Sequence, residues 1–117
     1  EAVVAVEEDE SLISEAQEAL ASAGVDNVIV HKGRLVDGAE QHGPYDVIVV
    51  EGAVQKLPDT LITQLKDGGR IACIFEQGAL GEARIGFKQH GQVSWRGIFN
   101  AGAPVLPGFE SAVEFEL

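Results

Sequence analysis

Two acidic residues close the first apolar run of this chain. Val3-Val4-Ala5-Val6 is followed at once by Glu7 and Glu8. A carboxylate at the carboxyl tip of a buried strand, with a helix after it, accepts hydrogen bonds from the vicinal hydroxyls of a ribose. The plainer reading is an acidic residue that opens a surface loop, and Asp9 beside it keeps that reading open. A second candidate group is Gly33-Arg34-Leu35, after the apolar run Val28-Ile29-Val30-His31. In nucleotide sites a loop at this place contacts the base; otherwise it is an ordinary turn in which Gly33 supplies backbone freedom. The third group is Glu51-Gly52-Ala53, which closes the run from Tyr45 to Val50. Ligands of open α/β sheets lie outside the carboxyl ends of the strands, so Glu51 and Gly52 are expected at the same crevice as Glu7. An exposed loop glutamate is the alternative. A glycine-rich turn normally stands upstream of the acidic strand tip. None lies between Glu1 and Val3, so the pattern is the later half of a nucleotide-type site.

Other chemistries find little support. His31, His42 and His90 are far apart and lack metal-ligand spacing with Cys73, so no metal site is expected. Gly-x-Ser-x-Gly elbows, Walker loops and Cys-x-x-Cys pairs are absent. The formal net charge of −11 disfavours nucleic acid and anionic membrane surfaces, because phosphates need Lys and Arg to neutralise them. Nothing approaches the roughly 20 apolar residues of a membrane span. One cysteine, flanked by Ile71, Ala72, Ile74 and Phe75, excludes an internal disulfide. It reads as a core residue in a reducing cytoplasm.

The elements that would position these groups follow from periodicity. Residues 2–6 and 28–31 read as strands, the first buried on both faces. Leu12, Ile13, Ala16, Ala19, Leu20 and Ala23 recur every three or four residues, which predicts a helix over 11–23 that Gly24 stops. Residues 33–44 are a loop with room for one helical turn. Residues 45–51 are the clearest strand. Pro58 opens a helix through Leu61, Ile62 and Leu65, and Asp67-Gly68-Gly69 turns into a strand over 70–75. Strands alternating with helices imply a parallel sheet with right-handed crossovers. The last third alternates differently. Residues 84–89, 93–99 and 111–117 predict antiparallel edge strands, with Val93, Trp95, Gly97 and Phe99 on one face. In the third of these, Ala112, Glu114 and Glu116 oppose Val113, Phe115 and Leu117. The segment Ala101–Gly108 is a turn-rich connection, and the 117 residues form one domain by size.

Together these segments resemble the later part of a class I S-adenosylmethionine-dependent methyltransferase, and more narrowly the protein-L-isoaspartate (D-aspartate) O-methyltransferase family. The likeness runs through Val4-Ala5-Val6-Glu7, Gly24-Val25-Asp26-Asn27-Val28, the loop from His31 to Gly38, and Tyr45 to Ala53. It continues through Leu57-Pro58 to Gln64-Leu65 and Asp67-Gly68-Gly69-Arg70-Ile71, the most family-specific piece. The resemblance implies a Rossmann-like α/β sheet, mostly parallel, with antiparallel edge strands at the carboxyl end. It implies S-adenosylmethionine as cofactor and an isoaspartyl-containing protein or peptide as methyl acceptor, in protein repair. Glu7, with Glu8 next to it, would hold the cofactor ribose. Gly33, Arg34 and Leu35 would lie along the adenine, and Glu51 and Gly52 near the methionine moiety. No catalytic residue is assigned.

Two departures stand out. The family usually carries an acidic residue after the loop glycine; here it is Arg34, which cannot accept a hydrogen bond. The family's first strand and its glycine-rich turn have no counterpart. That strand lies mid-sheet, between the strand ending at Glu7 and the one holding Val47 to Val50. The chain therefore reads as a piece of a longer methyltransferase, expected to bind cofactor weakly or not at all. Its exposed strand edges would be open to pairing with a second copy. A non-catalytic methyltransferase-like module acting in protein association is the alternative. A dinucleotide-dependent oxidoreductase fits less well, because of the Pro58–Arg70 segment and the antiparallel ending.

Overall fold

The computed structural model describes residues 2–77 and 80–111, with the side chain of Gln77 excepted. The third expected edge strand, residues 111–117, lies almost wholly outside the described residues. The chain divides into two compact units, residues 1–43 and 44–117.

The first unit is built on β1 (Val3–Glu7), α1 (Glu10–Ser22) and β2 (Val28–Lys32). The strands pair in parallel from Val3↔Val28 to Glu7↔Lys32. Asp9 caps α1: its carboxylate accepts from the Ser11 and Leu12 amides at 2.8 and 3.3 Å, filling donors that the first turn leaves unpaired. At the other end Gly24 takes φ +72°, Gly24 N–H donates to Ala21 C=O and Val25 N–H to Leu20 C=O. This is a Schellman stop, which glycine enters without strain. The apolar stripe of α1 is narrower than its periodicity suggests. Ile13 is buried and Ala16 and Leu20 half-buried, but Leu12, Ala19 and Ala23 face solvent. Nor is β1 covered on both faces: Val3, Ala5 and Ile29 are exposed. The loop after β2 holds two short 3-10 turns, Leu35–Asp37 and Glu40–His42, where one helical turn was expected.

The second unit is a sheet in the order β3 (Tyr45–Val54), β4 (Leu65–Gln77), β5 (Leu80–Gln89), β6 (Gln92–Asn100). β3 and β4 are parallel; β5 and β6 add antiparallel, as the alternating pattern required. The described strands thus form two sheets, one of two strands in the first unit and one of four in the second.

Several boundaries differ from expectation for local reasons. α2 is only Asp59–Thr63, because the chain pairs again at once: Tyr45 N–H donates to Gln64 C=O at 2.8 Å, and Tyr45 lies opposite Leu65. The turn Asp67-Gly68-Gly69 is therefore a bulge inside β4, between the pairs Tyr45↔Leu65 and Val47↔Arg70. On β6, Arg84 pairs with Gly97 but Ala83 with Phe99. Ile98 is the extra residue, and it moves Phe99 off the face that Trp95 and Gly97 share. One face carries Ile71, Cys73, Phe75 and Trp95, with the Trp95 ring edge-on to Phe75 at 4.9 Å between centroids and the Arg84 guanidinium 4.6 Å from the Phe75 centroid. Ile71 and Cys73 are buried on it. The opposite face leaves Val47, Val49, Ile85, Phe87 and Phe99 exposed, Val49 at 62% and Phe99 at 61%. That apolar face has no cover among the described residues.

Candidate functional site

The carboxyl ends of β1 and β2 are stitched together by three contacts. Gly33 N–H donates to Glu7 C=O at 3.1 Å, Leu35 N–H donates to Glu8 Oε1 at 3.1 Å, and Lys32 Nζ meets Glu10 Oε1 at 2.8 Å. Five of the seven residues expected at a cofactor site, Glu7, Glu8, Gly33, Arg34 and Leu35, therefore share one rim. The sequence folds this way because a parallel in-register pair ends both strands at the same level, Glu7 opposite Lys32. Each strand then hands its next residues to a loop on the same side.

Within the rim the two glutamates differ. Glu7 is half-buried, and its Oε1 accepts the Glu8 and Asp9 amides, both at 3.1 Å. That fixes the side chain back over its own turn and leaves Oε2 without a partner among the described residues. A carboxylate so held, with one oxygen to spare, fits a pair of ribose hydroxyls. Glu8 is exposed and reaches across to the start of the first 3-10 turn, where its Oε1 satisfies an amide that the turn itself cannot. Glu10 is held below the ordinary carboxylate range by its hydrogen bond and charge pairing with Lys32.

Gly33 is not a conformational requirement, since its φ is not positive. A Cβ there would stand 3.2 Å from His31 Nε2, so the residue is small because the imidazole lies against it. His31 packs edge-on to His42 with 5.6 Å between ring centroids. No group of three or more metal-ligating side chains occurs among the described residues. Arg34 is exposed, and no hydrogen bond or ion pair engages its guanidinium among the described residues.

Glu51 and Gly52 belong to the other unit, and they do not close a strand. β3 continues to Val54. The pairs Val49↔Ala72 and Ala53↔Ile74 leave Val50, Glu51 and Gly52 opposite Cys73 alone, so both candidates sit in a bulge. Glu51 is exposed. Gly52 lies under Leu106, whose Cγ would be 2.5 Å from an added Cβ. The segment 101–108, expected to be only a connection, is anchored along the carboxyl end of β3. Ala53 N–H donates to Pro104 C=O at 3.1 Å and Leu106 N–H to Ala53 C=O at 2.9 Å. Phe109 is buried, and its carbonyl accepts the Gln55 and Lys56 amides. The signal for this anchoring was in the sequence: Leu106 and Phe109 are large apolar residues between prolines and glycines, where a solvated loop would carry none.

The run from Gln64 to Arg70 proves structural. Gln64 and Leu65 are buried, Gly68 takes φ +86°, and Gly69 has backbone oxygens of Lys66 and Asp46 within 2.9 Å of where a Cβ would be. Asp67 accepts the His90 and Gly91 amides at 3.1 Å each, which ties the bulge to the β5–β6 hairpin.

The model of the protein-L-isoaspartate(D-aspartate) O-methyltransferase family matches residues 1–95. A protein-L-isoaspartate O-methyltransferase 2 of Polaromonas sp. (strain JS666 / ATCC BAA-500) is 44% identical over 70 residues, covering 60% of this chain and 33% of its own length. One of the same name from Pelobacter propionicus is 31% identical over 105 residues, covering 90% of this chain and 47% of its own length. A solved protein-L-isoaspartate O-methyltransferase superposes with a TM-score of 0.84 at 28% identity, over 92% of this chain and 34% of that one. A Plasmodium falciparum structure described as such a methyltransferase, in complex with S-adenosyl-L-homocysteine, gives a TM-score of 0.76 over 90% of this chain and 52% of its own, at 18% identity, and so shares the fold. The aligned regions span about a third to a half of these relatives. By sequence and by fold, the chain belongs to the protein-L-isoaspartate (D-aspartate) O-methyltransferase family.

Proposed function

We propose that this chain carries the ribose- and base-binding half of an S-adenosylmethionine site. The protein it represents would use that site to methylate isoaspartyl carboxylates in damaged proteins, in a reducing cytoplasm. The observation that carries the reading is the stitched rim: Glu7 held with one carboxylate oxygen unpartnered, beside a loop fixed to β1 through Glu7 C=O and Glu8 Oε1. The residues present fit the nucleoside end of the cofactor, with Glu7 accepting from the ribose hydroxyls and Gly33, Arg34 and Leu35 along the base. When bound, the cofactor supplies an electrophilic methyl group. The protein's part is chiefly to align a carboxylate oxygen with it, because proximity and orientation account for much of such a rate. Glu51 and Gly52 are the residues proposed near the methionine moiety.

Titration of the uniformly 15N-labelled chain with S-adenosyl-L-homocysteine tests this. Weak binding is expected, at millimolar ligand, with amide shifts concentrated at residues 7–10 and 33–36 and abolished by Glu7→Ala. Absence of shifts at saturating solubility, or shifts confined to other residues, refutes the reading.

A non-catalytic association module is the second reading. It is favoured by the exposed apolar face that runs across the sheet from Val47 and Val49 on β3 to Phe99 on β6. Sedimentation equilibrium separates the two, since self-association through that face would be lost in Val49→Lys while ligand shifts at the rim persist.

A further inference from the structure

Resting on the cofactor reading above, one residue can be assigned the task of reading the base. The backbone donors on either side of Arg34 are already used: Gly33 N–H by Glu7 C=O and Leu35 N–H by Glu8 Oε1. The Arg34 carbonyl in turn accepts the Asp37 amide at 3.1 Å. An amino group on a purine edge needs an acceptor, and Arg34 has only donors. Glu10 is committed to Lys32 and Asp9 to the first turn of α1. Glu7 has turned back over its own loop. Among the described residues outside the loop itself, the carboxylate that hydrogen-bonds a backbone amide of Gly33–Leu35 is Glu8. One of its oxygens is anchored on Leu35, which fixes the group in place, and the other has no partner among the described residues.

We propose that Glu8 is the specificity-determining residue for the base: Oε1 stays on the Leu35 amide and Oε2 accepts the 6-amino group of adenine. A base that presents an oxygen there, a 6-oxopurine, would set acceptor against acceptor. Sites that hydrogen-bond their ligand discriminate most strongly against the analogue that leaves a polar group unpaired. Glu8 thus acts as the acceptor that the residue after Gly33 does not supply.

The test compares S-adenosyl-L-homocysteine with S-inosyl-L-homocysteine, which differs only at that edge, by 15N titration of the whole chain. The original chain is expected to bind the adenosyl compound at least tenfold tighter. Glu8→Gln keeps an oxygen for Leu35 but turns an amide donor toward the base, so the ratio should fall to unity or invert. Arg34→Ala should leave the ratio within twofold. If Glu8 only held the loop in shape, Glu8→Gln would weaken both compounds alike and leave the ratio unchanged, which overturns the assignment. A ratio that moves with Arg34→Ala and not with Glu8→Gln overturns it in favour of Arg34. Failure of both compounds to bind the original chain removes the cofactor reading itself, and this inference with it.

Discussion

Gly68 and Gly69 are neighbours in one bulge, yet they should fail for different reasons when replaced. Gly68 has φ +86° and open space around a would-be Cβ, so any cost is conformational. Placing an L side chain in the left-handed region costs about 1 kcal/mol, and asparagine tolerates it better than alanine. Gly69 has an ordinary φ but no room: its Cβ would stand 2.7 Å from Leu65 Cδ1, 2.8 Å from Lys66 O and 2.9 Å from Asp46 O. Two of those atoms are backbone and cannot swing aside. Overpacking of this kind costs about 1–3 kcal/mol, and with backbone on two sides about 2.5 is expected. The half-buried Trp95, against Phe75, reports on the same unit by fluorescence during urea unfolding. With an m-value of about 1.5 kcal/mol/M, Gly68→Ala lowers the midpoint by about 0.7 M and Gly69→Ala by about 1.7 M. Asparagine separates the mechanisms. Gly68→Asn should recover at least half of the loss, whereas Gly69→Asn should be no better than Gly69→Ala. Equal midpoints for the two asparagine variants, or a shift below 0.3 M for Gly69→Ala, would refute the division into strain and clash.

Three further outcomes are expected. Lys88 Nζ donates to Ile62 C=O at 2.8 Å and to Leu65 C=O at 2.7 Å, so Lys88→Met should cost about 1.5–3 kcal/mol in the same unfolding assay and speed amide exchange in α2 (Asp59–Thr63). His90, at φ 54° beside Gly91 at φ 78°, occupies a two-residue hairpin turn of the kind asparagine prefers. His90→Asn should raise stability by about 0.5 kcal/mol, read as an upward shift of the thermal midpoint. Burial pushes the Cys73 thiol up to about 11, so a disulfide reagent at pH 8 should label it only as fast as the unit opens. The unfolded thiol ionises before the folded one, so stability should also fall as pH rises from about 9 toward 11; Cys73→Ala should remove the part that begins near 9 and leave the fall that the Tyr45 phenol, also raised by burial, adds at higher pH.

Legibility in the sequence followed the range of the interactions. Strands with strong apolar runs, the Gly24 helix stop and the antiparallel pairing of β5 and β6 rest on local pattern and are readable, whereas the Asp9 cap of α1 was not identified. The short α2 was not, because Leu65 could as well extend the helix; it is instead drawn into the ladder opposite Tyr45. The length of β3 was missed for the same kind of reason. Glu51-Gly52 looks like a strand end, but Ala53 is recaptured by Pro104 and Leu106 from some fifty residues later in the chain. The Ile98 bulge that turns Phe99 over carries no composition signal at all. Among candidate site residues, the five at the β1 and β2 tips could be read because a parallel pair in register must deliver both loops to one rim. Which glutamate does what could not, since it depends on Glu7 folding back and Glu8 reaching across.

The most family-specific stretch, Gln64 to Arg70, holds no candidate ligand contact. Its residues each meet a constraint of the bulge: Leu65 fills the core, Asp67 caps a hairpin more than twenty residues away, Gly68 supplies a positive φ and Gly69 the space for two backbone oxygens. Such a stretch identifies a relative by its architecture. It is silent about whether the cofactor is still bound. The residues that would decide this, Glu8 and Arg34, sit in the loops at the strand tips. The family match covers the bulge and the rim alike, so it is at the rim, by ligand titration, that retained chemistry is read.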